Sequence, residues 1–211
     1  IVWIVNAQDV AIIGRLFREG HYRPERVVAL TGSCIKGPQY VRVMTGQRMS
    51  EILADRLNSD HCRIIQGNVL TGKTSSWDDT LSFYTNQITA IPQGDQPEFL
   101  GWALPGFGKL SLSRTYFSWL TPDRKYDLDT NTHGEERPFV MTGQYDQVLP
   151  MDIMPVYLLK AILAKDIERM EQLGIYEVAE EDFALCEFVC TSKIDVQKII
   201  AEGLEYMHKE G

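Results

Sequence analysis

"CRIIQGNVLTGKT", residues 62–74, admits two incompatible readings. Gly67, Gly72, Lys73 and Thr74 satisfy G-x-x-x-x-G-K-[ST], the loop whose backbone N–H groups and Lys hold nucleotide phosphates. A working loop of that kind joins a strand to a helix, and the phosphates sit at the helix N-terminus. "CRIIQ" supplies a strand. "TSSWDDTLSFYTNQITAIPQ" (74–93) supplies no helix, because it has no apolar stripe of period 3.6 and soon becomes strand-like. Nor does a second apolar strand end in an Asp that could hold Mg²⁺. The match is therefore expected to be accidental, with Gly67 and Gly72 as turn residues and Lys73 solvated.

The flanking sequence offers the other reading. "RVVALTG" (26–32) predicts a strand ending at Gly32, and "KGP" (36–38) a turn. "QYVRVM" (39–44) alternates Tyr40, Arg42 and Met44 against Val41 and Val43, as a strand does. "MSEILADRL" (49–57) places Met49, Ile52, Leu53 and Leu57 on one helical face. The order strand, strand, helix, strand is the outline of a small β-grasp module. The fold class expected is α+β.

Upstream, "IVWIV" (1–5) is an apolar, β-branched run that reads as a strand buried on both faces. "QDVAIIGRLF" follows as a helix with Val10, Ile13 and Phe17 at helical spacing and Gly20 as C-cap. One strand and one helix cannot make a parallel sheet, so residues 1–25 are expected to be the last βα unit of a Rossmann-like domain. Its strand would be left without its sheet here.

Downstream, residues 77–119 are rich in aromatics: Trp77, Phe83, Tyr84, Phe99, Trp102, Phe107, Tyr116, Phe117 and Trp119. Core and interface packing is their expected role, with stacking on a quinone or flavin as the alternative. "NQITAI" and "EFLGWAL" flank "PQGDQP" and predict a hairpin. Residues 121–150 form a polar connector. Helices follow: one with Asp152 as cap, Pro155 in its first turn and a stripe of Val156, Leu159, Ile162 and Leu163. A shorter one, "IERMEQLG", stops at Gly174, and "EEDFALCEFVC" opens on acids. The last begins near Asp195 with Val196, Ile199, Ile200, Leu204 and Met207 on its apolar face, interrupted by Gly203 at a local cost of ~1 kcal/mol relative to Ala.

The 211 residues carry a net charge of −8, with 44% hydrophobic and 24% charged residues, the profile of an ordinary globular chain. No Lys/Arg cluster stands against that charge, which makes nucleic acid and anionic lipid head groups poor partners. No apolar run approaches the ~20 residues of a membrane span, and no signal peptide is visible. Cys34, Cys62, Cys186 and Cys190 show no disulfide spacing, as suits a reducing cytosol. Cys186 and Cys190 fall on one face of a helical turn among Phe183, Leu185, Phe188 and Val189, and are expected to be packed thiols. A structural zinc or an iron–sulfur cluster needs four ligands, while His21, His61, His133 and His208 are scattered. No metal site and no catalytic residue is expected.

Taken in order, "NAQDVAIIGRLF", "RVVALTG", "GNVLTG", "FLGWALPG", "GEERPFVMTGQYDQVLPMDIMP" and "EEDFALCEFVCTSK" resemble the A-subunit family of the Na⁺-translocating NADH:quinone oxidoreductases (Na⁺-NQR), a bacterial respiratory complex. The likeness runs nearly end to end and would make this the C-terminal half of that subunit. It implies residues 1–25 as the end of a Rossmann-like domain, 26–115 as a soluble-ligand-binding β-grasp domain, and 116–211 as a connector and C-terminal helical domain. It also implies a peripheral place on the cytoplasmic face of the bacterial inner membrane, docked on membrane-embedded subunits that carry sodium. NADH oxidation, flavins and iron–sulfur clusters would sit on other subunits. Contact with quinone is open to the full subunit, but no quinone-contacting residue can be carried over onto this sequence. Cluster-bearing relatives place Cys-x-x-Cys-x-x-Cys sets in the helical region, where this chain has only Cys186 and Cys190. It also carries Thr191-Ser192 where the family commonly has Pro-Gly. The competing functions are a stand-alone small-ligand-binding β-grasp module and, more remotely, a P-loop enzyme.

Overall fold

A computed structural model describes residues 2–95, 98–139 and 143–211. By internal packing the chain divides into two units, Ile1–Asp95 with Asp127–Thr130, and Gln96–Tyr126 with Asn131–Gly211.

The first unit holds α1 (Ala7–Glu19), β1 (Glu25–Thr31), β2 (Gln39–Met44), α2 (Met49–Leu53), β3 (Cys62–Gln66), β4 (Lys73–Ser75) and β5 (Gln87–Pro92). The strands form one sheet in the order β2-β1-β5-β3-β4. β1 and β2 are an antiparallel pair, β5 runs parallel to β1 and antiparallel to β3, and β4 folds back antiparallel on β3. β5 is last in sequence but central in space. Accordingly Ile88, Thr89 and Ala90 are all buried, as a strand covered on both faces and both edges must be. One face of the sheet packs on α2 through Val28, Leu30, Ile64, Ile88, Met49, Ile52 and Leu53. The first amides of α2, Met49 and Ser50, donate to the carbonyls of Asp79 and Trp77, so backbone from the loop before β5 caps the helix. The helix is shorter than the pattern over 49–57 predicts.

α1 forms as its periodicity predicts, and Gly20 ends it in the left-handed conformation. Its burial does not follow the expected stripe: Ile12 and Asp9 face inward, while Val10, Ile13 and Phe17 are exposed. Two polar contacts place it. Arg26, on β1, donates from Nη2 to Asp9 Oδ1 at 2.7 Å, donates to the Phe83 carbonyl, and lies over the Phe83 ring. Gln8 exchanges both hydrogen bonds of its side-chain amide with the backbone of Val27, doing for β1 what a neighbouring strand would do before β5 begins. Of the strand expected over residues 1–5, the described residues 2–5 form none and are exposed; Ile1 lies outside the described residues. The apolar run has no backbone partner in this sheet, and an extended segment without one is not a strand.

The hairpin predicted from "NQITAI" and "EFLGWAL" is also absent. Gln96 and Pro97 lie outside the described residues, and 98–104 make successive turns, with Leu100 at φ 51°. The reason is topological. β5 already has β1 on one edge and β3 on the other, so it has no edge left for a hairpin partner.

The second unit has a helical core: α3 (Pro155–Leu163), α4 (Ile167–Gln172), α5 (Ala184–Val189) and α6 (Val196–Glu210), with two 3₁₀ turns, Ile175–Glu177 and Glu180–Phe183, between α4 and α5. Pro155 opens α3 as expected, but the cap position is Met154, not Asp152. Leu158 is buried beside Val156, Leu159 and Ile162, whereas Leu163 is exposed. Asp166 caps α4 through the Arg169 amide, and Gly174 ends it at φ 86°. The Glu187 carboxylate of α5 accepts from the Gln197 amide in the first turn of α6, where a negative charge also favours the helix dipole.

Gly203 explains its own presence. A Cβ there would stand 2.9 Å from three side-chain carbons of Ile162, so α3 and α6 approach closely at this point. Gly203→Ala should therefore destabilise the protein, even though Ala raises helix propensity by ~1 kcal/mol. Overpacking typically costs about 1–3 kcal/mol, which leaves a net loss of up to about 2. Urea unfolding would measure it, and adding Ile162→Val should recover part of the loss.

Candidate functional site

The loop that mimics a phosphate cradle has its donors committed elsewhere. The Gly67 amide donates to Gln87 O on β5 at 2.7 Å, and the Gly72 amide to Asn68 O at 2.9 Å. The Asn68 side chain accepts from the amides of both Leu70 and Thr71. Thr89 Oγ1 donates to the Gly67 carbonyl at 2.7 Å, pinning the loop to the central strand. Gly67 sits at φ 108°, and a Cβ on Gly72 would overlap the Asn68 carbonyl. Both glycines are therefore demanded by a turn. Lys73 and Thr74 lie exposed on β4, paired to Gln66 and Ile65, with a strand where a P-loop needs a helix.

Gln66, which no motif singles out, organises the loop between β4 and β5. Its amide nitrogen donates to Ser75 Oγ and Thr80 O, and its oxygen accepts from the Ser82 amide and Thr85 Oγ1. These four bonds satisfy the full capacity of the side chain and fold residues 75–85 around it.

All four cysteines are free thiols. Cys186 and Cys190 are buried in the helical core, as the pattern predicts. Tyr145, in the 3₁₀ turn Tyr145–Gln147, stands between them: its hydroxyl donates to Cys190 Sγ at 2.9 Å, and its carbonyl lies 4.0 Å from Cys186 Sγ. Burial pushes the Cys186 thiol up to about 11, with Asp146 adding to it. Burial, then Cys190, also holds the Tyr145 phenol above its ordinary value. This is a locked polar contact inside a core, and the raised Cys186 thiol is the reverse of what a reactive thiolate needs. Thr191 and Ser192 make a built turn: Ser192 is buried, its hydroxyl donates to Pro138 O, and its carbonyl accepts from the Arg137 amide.

Sequence spacing does not reveal that Cys34 and Cys62 are neighbours. The Cys34 thiol is pushed up to about 12, first by burial and then by its contact with Cys62, whose own Sγ donates to Ser59 O at 2.9 Å. Among the described residues no three His, Cys, Asp or Glu side chains converge as metal ligands would.

The aromatics of 77–119 overturn the expectation of core packing. None of the nine is buried; Tyr116 is half-buried and the others are exposed. Those between 98 and 126 sit on a loop tied to itself. Lys109 donates to Gly101 O and pairs with Glu98, Arg124 donates to Phe107 O, and the Phe117 amide donates to Pro105 O. Gly106, at φ 63°, lets the chain pass against the Tyr116 ring. These bonds tie the loop to itself while its rings, Tyr116 excepted, are exposed.

A family model described as the NQRA C-terminal domain matches residues 27–76, from β1 to β4. The whole chain aligns with curated proteins named as the A subunits of Na(+)-translocating NADH-quinone reductases. It is 39% identical to those of Shewanella frigidimarina and Rhodopirellula baltica, and 36% identical to that of Vibrio atlanticus. In each case 100% of this chain is aligned, against 48%, 46% and 48% of the relative. The chain spans about half the length of the curated relatives it matches.

Two outcomes are expected of this geometry. Titration calorimetry with ATP or GTP should show no Lys73-dependent binding, because the Gly67, Leu70, Thr71 and Gly72 amides are already bonded and a strand follows the loop. The thiols should carry a pH signature. Cys186 and Cys34 hold protons more tightly when folded, so the stability that this provides is intact below about pH 9, the ordinary thiol value, and is lost as pH rises toward about 11 and 12. Denaturant midpoints measured across that range should fall, and Cys34→Ser with Cys186→Ser should flatten the fall.

Proposed function

This chain is a relative, along its whole length, of the A subunits of the Na(+)-translocating NADH-quinone reductases, and from that we propose that it serves as part of a peripheral subunit of such a sodium-pumping respiratory complex. The observation that carries the proposal is alignment of 100% of the chain at 39% identity with proteins of that name. On this reading the subunit docks on the membrane-embedded partners at the cytoplasmic face of the bacterial inner membrane. Among the described residues no helix is long and apolar enough to cross a membrane, which is consistent with a peripheral place. NADH oxidation, flavins and iron–sulfur clusters belong to the other subunits, and this chain has no redox centre of its own. It assists quinone reduction through the assembly, and quinone contact belongs to the full subunit.

Within that frame we read residues 26–115 as a β-grasp domain. Supporting it are the strand order β2-β1-β5-β3-β4, the parallel β1–β5 pair at its centre and α2 laid across one face. Residues 1–25 are the end of a Rossmann-like domain, for which the exposed apolar face of α1 is the support. Residues 116–211 are the connector and C-terminal helical domain.

Affinity purification of the tagged protein from native membranes in mild detergent tests the assignment. Membrane-embedded partners and Na⁺-stimulated NADH:quinone reductase activity should come with it. A monodisperse protein that retains no membrane partner would instead indicate a stand-alone module.

A further inference from the structure

We propose that the self-tied loop of residues 98–126 contacts the lipid bilayer directly, as an interfacial anchor for anionic head groups. Its Phe99, Trp102, Phe107, Phe117 and Trp119 are exposed, and Leu100, Leu104, Leu110, Leu112 and Leu120 are exposed between them. Single exposed apolar residues are ordinary, but ten within one short segment are not. Nor is the segment simply unfolded chain, since Lys109, Arg124, Phe117 and Gly106 fix its course. Aromatic rings with Lys and Arg beside them are the composition that settles at a membrane–water interface, the rings at the acyl boundary and the cations at the phosphates.

The charge distribution selects the occupant. Lys109, Arg114, Arg124 and Lys125 against Glu98 and Asp123 give residues 98–126 a charge of +2, so the remainder of the chain carries −10. The net charge of −8 therefore hides a local reversal of sign on this apolar loop. At physiological salt the field is felt over about 8 Å, so the charge of the touching segment outweighs that of the distant remainder. Each cation close to an anionic surface is worth about fivefold in partitioning. The contact is to lipid and goes beyond docking on partner subunits.

The test uses the purified protein alone, without partner subunits, which separates it from the co-purification experiment. It should co-sediment with vesicles of phosphatidylglycerol and phosphatidylethanolamine, and much less with phosphatidylcholine vesicles. Arg114→Glu with Lys125→Glu, and separately Trp102→Ala with Trp119→Ala, should each reduce binding by roughly tenfold or more, with an unchanged circular dichroism spectrum. Brominated lipids should quench the fluorescence difference between wild type and the double Trp variant. The proposal fails if anionic vesicles bind no better than neutral ones, or if binding survives both double variants. It also fails if those variants lose attachment to detergent-solubilised membrane subunits while vesicle binding is unchanged, which would make the loop a protein interface.

Discussion

The insertion of β5 between β1 and β3 is the constraint on which the first unit depends. β1 and β3 are far apart in sequence and become one sheet only through β5, parallel to one and antiparallel to the other. The close fit along this strand is visible at both of its neighbours. Gly32 crosses Ala90 so tightly that a Cβ would overlap the Ala90 carbonyl, and Gly67 is bonded to Gln87 and Thr89. The loop that mimics a nucleotide cradle is thus a fastening for the central strand. The same insertion uses both edges of β5, which leaves the chain beyond Pro92 to fold by other means.

The helical unit depends on a different kind of closeness. Gly203 brings α6 against Ile162, and the turn around Tyr145 enters the core between Cys186 and Cys190. Two groups outside the helix contacts fix the geometry further. Glu187 holds the start of α6, and Ser192 fastens the connector at Arg137 and Pro138. The Thr191-Ser192 pair builds a turn with polar bonds of its own, and Lys193 adopts the left-handed conformation there at φ 56°. The buried Cys186 and Cys190 serve here as small core residues around the Tyr145 phenol.

Functionally, what distinguishes the molecule lies on its surface. Its interior polar groups are engaged in holding the fold: Gln66 in the 75–85 loop, Arg26 and Gln8 on α1, Asn68 in the turn. Its exposed features are apolar, on α1 and on the 98–126 loop.

Much of this was legible in the sequence because it is local. The apolar run of "RVVALTG" closed by Gly32, the alternation in "QYVRVM", the helical stripe of 196–207, Pro155 and the glycines at 20 and 174 each determine backbone conformation within a few residues, and the structure follows them. The lack of a helix after Thr74 in "GNVLTGKT" is legible in the same local way, and the structure has strand β4 there. What the sequence could not determine is which elements become neighbours. Whether "EFLGWAL" is a strand depended on β5 having a free edge. Whether Val10, Ile13 and Phe17 are a buried stripe depended on which face Arg26 and Asp9 turn toward the sheet. The adjacency of Cys34 to Cys62, and the place of Tyr145 between Cys186 and Cys190, join residues tens of positions apart. Periodicity encodes which way a side chain points along its own element. The partner it meets is decided by long-range packing, which no window of sequence contains.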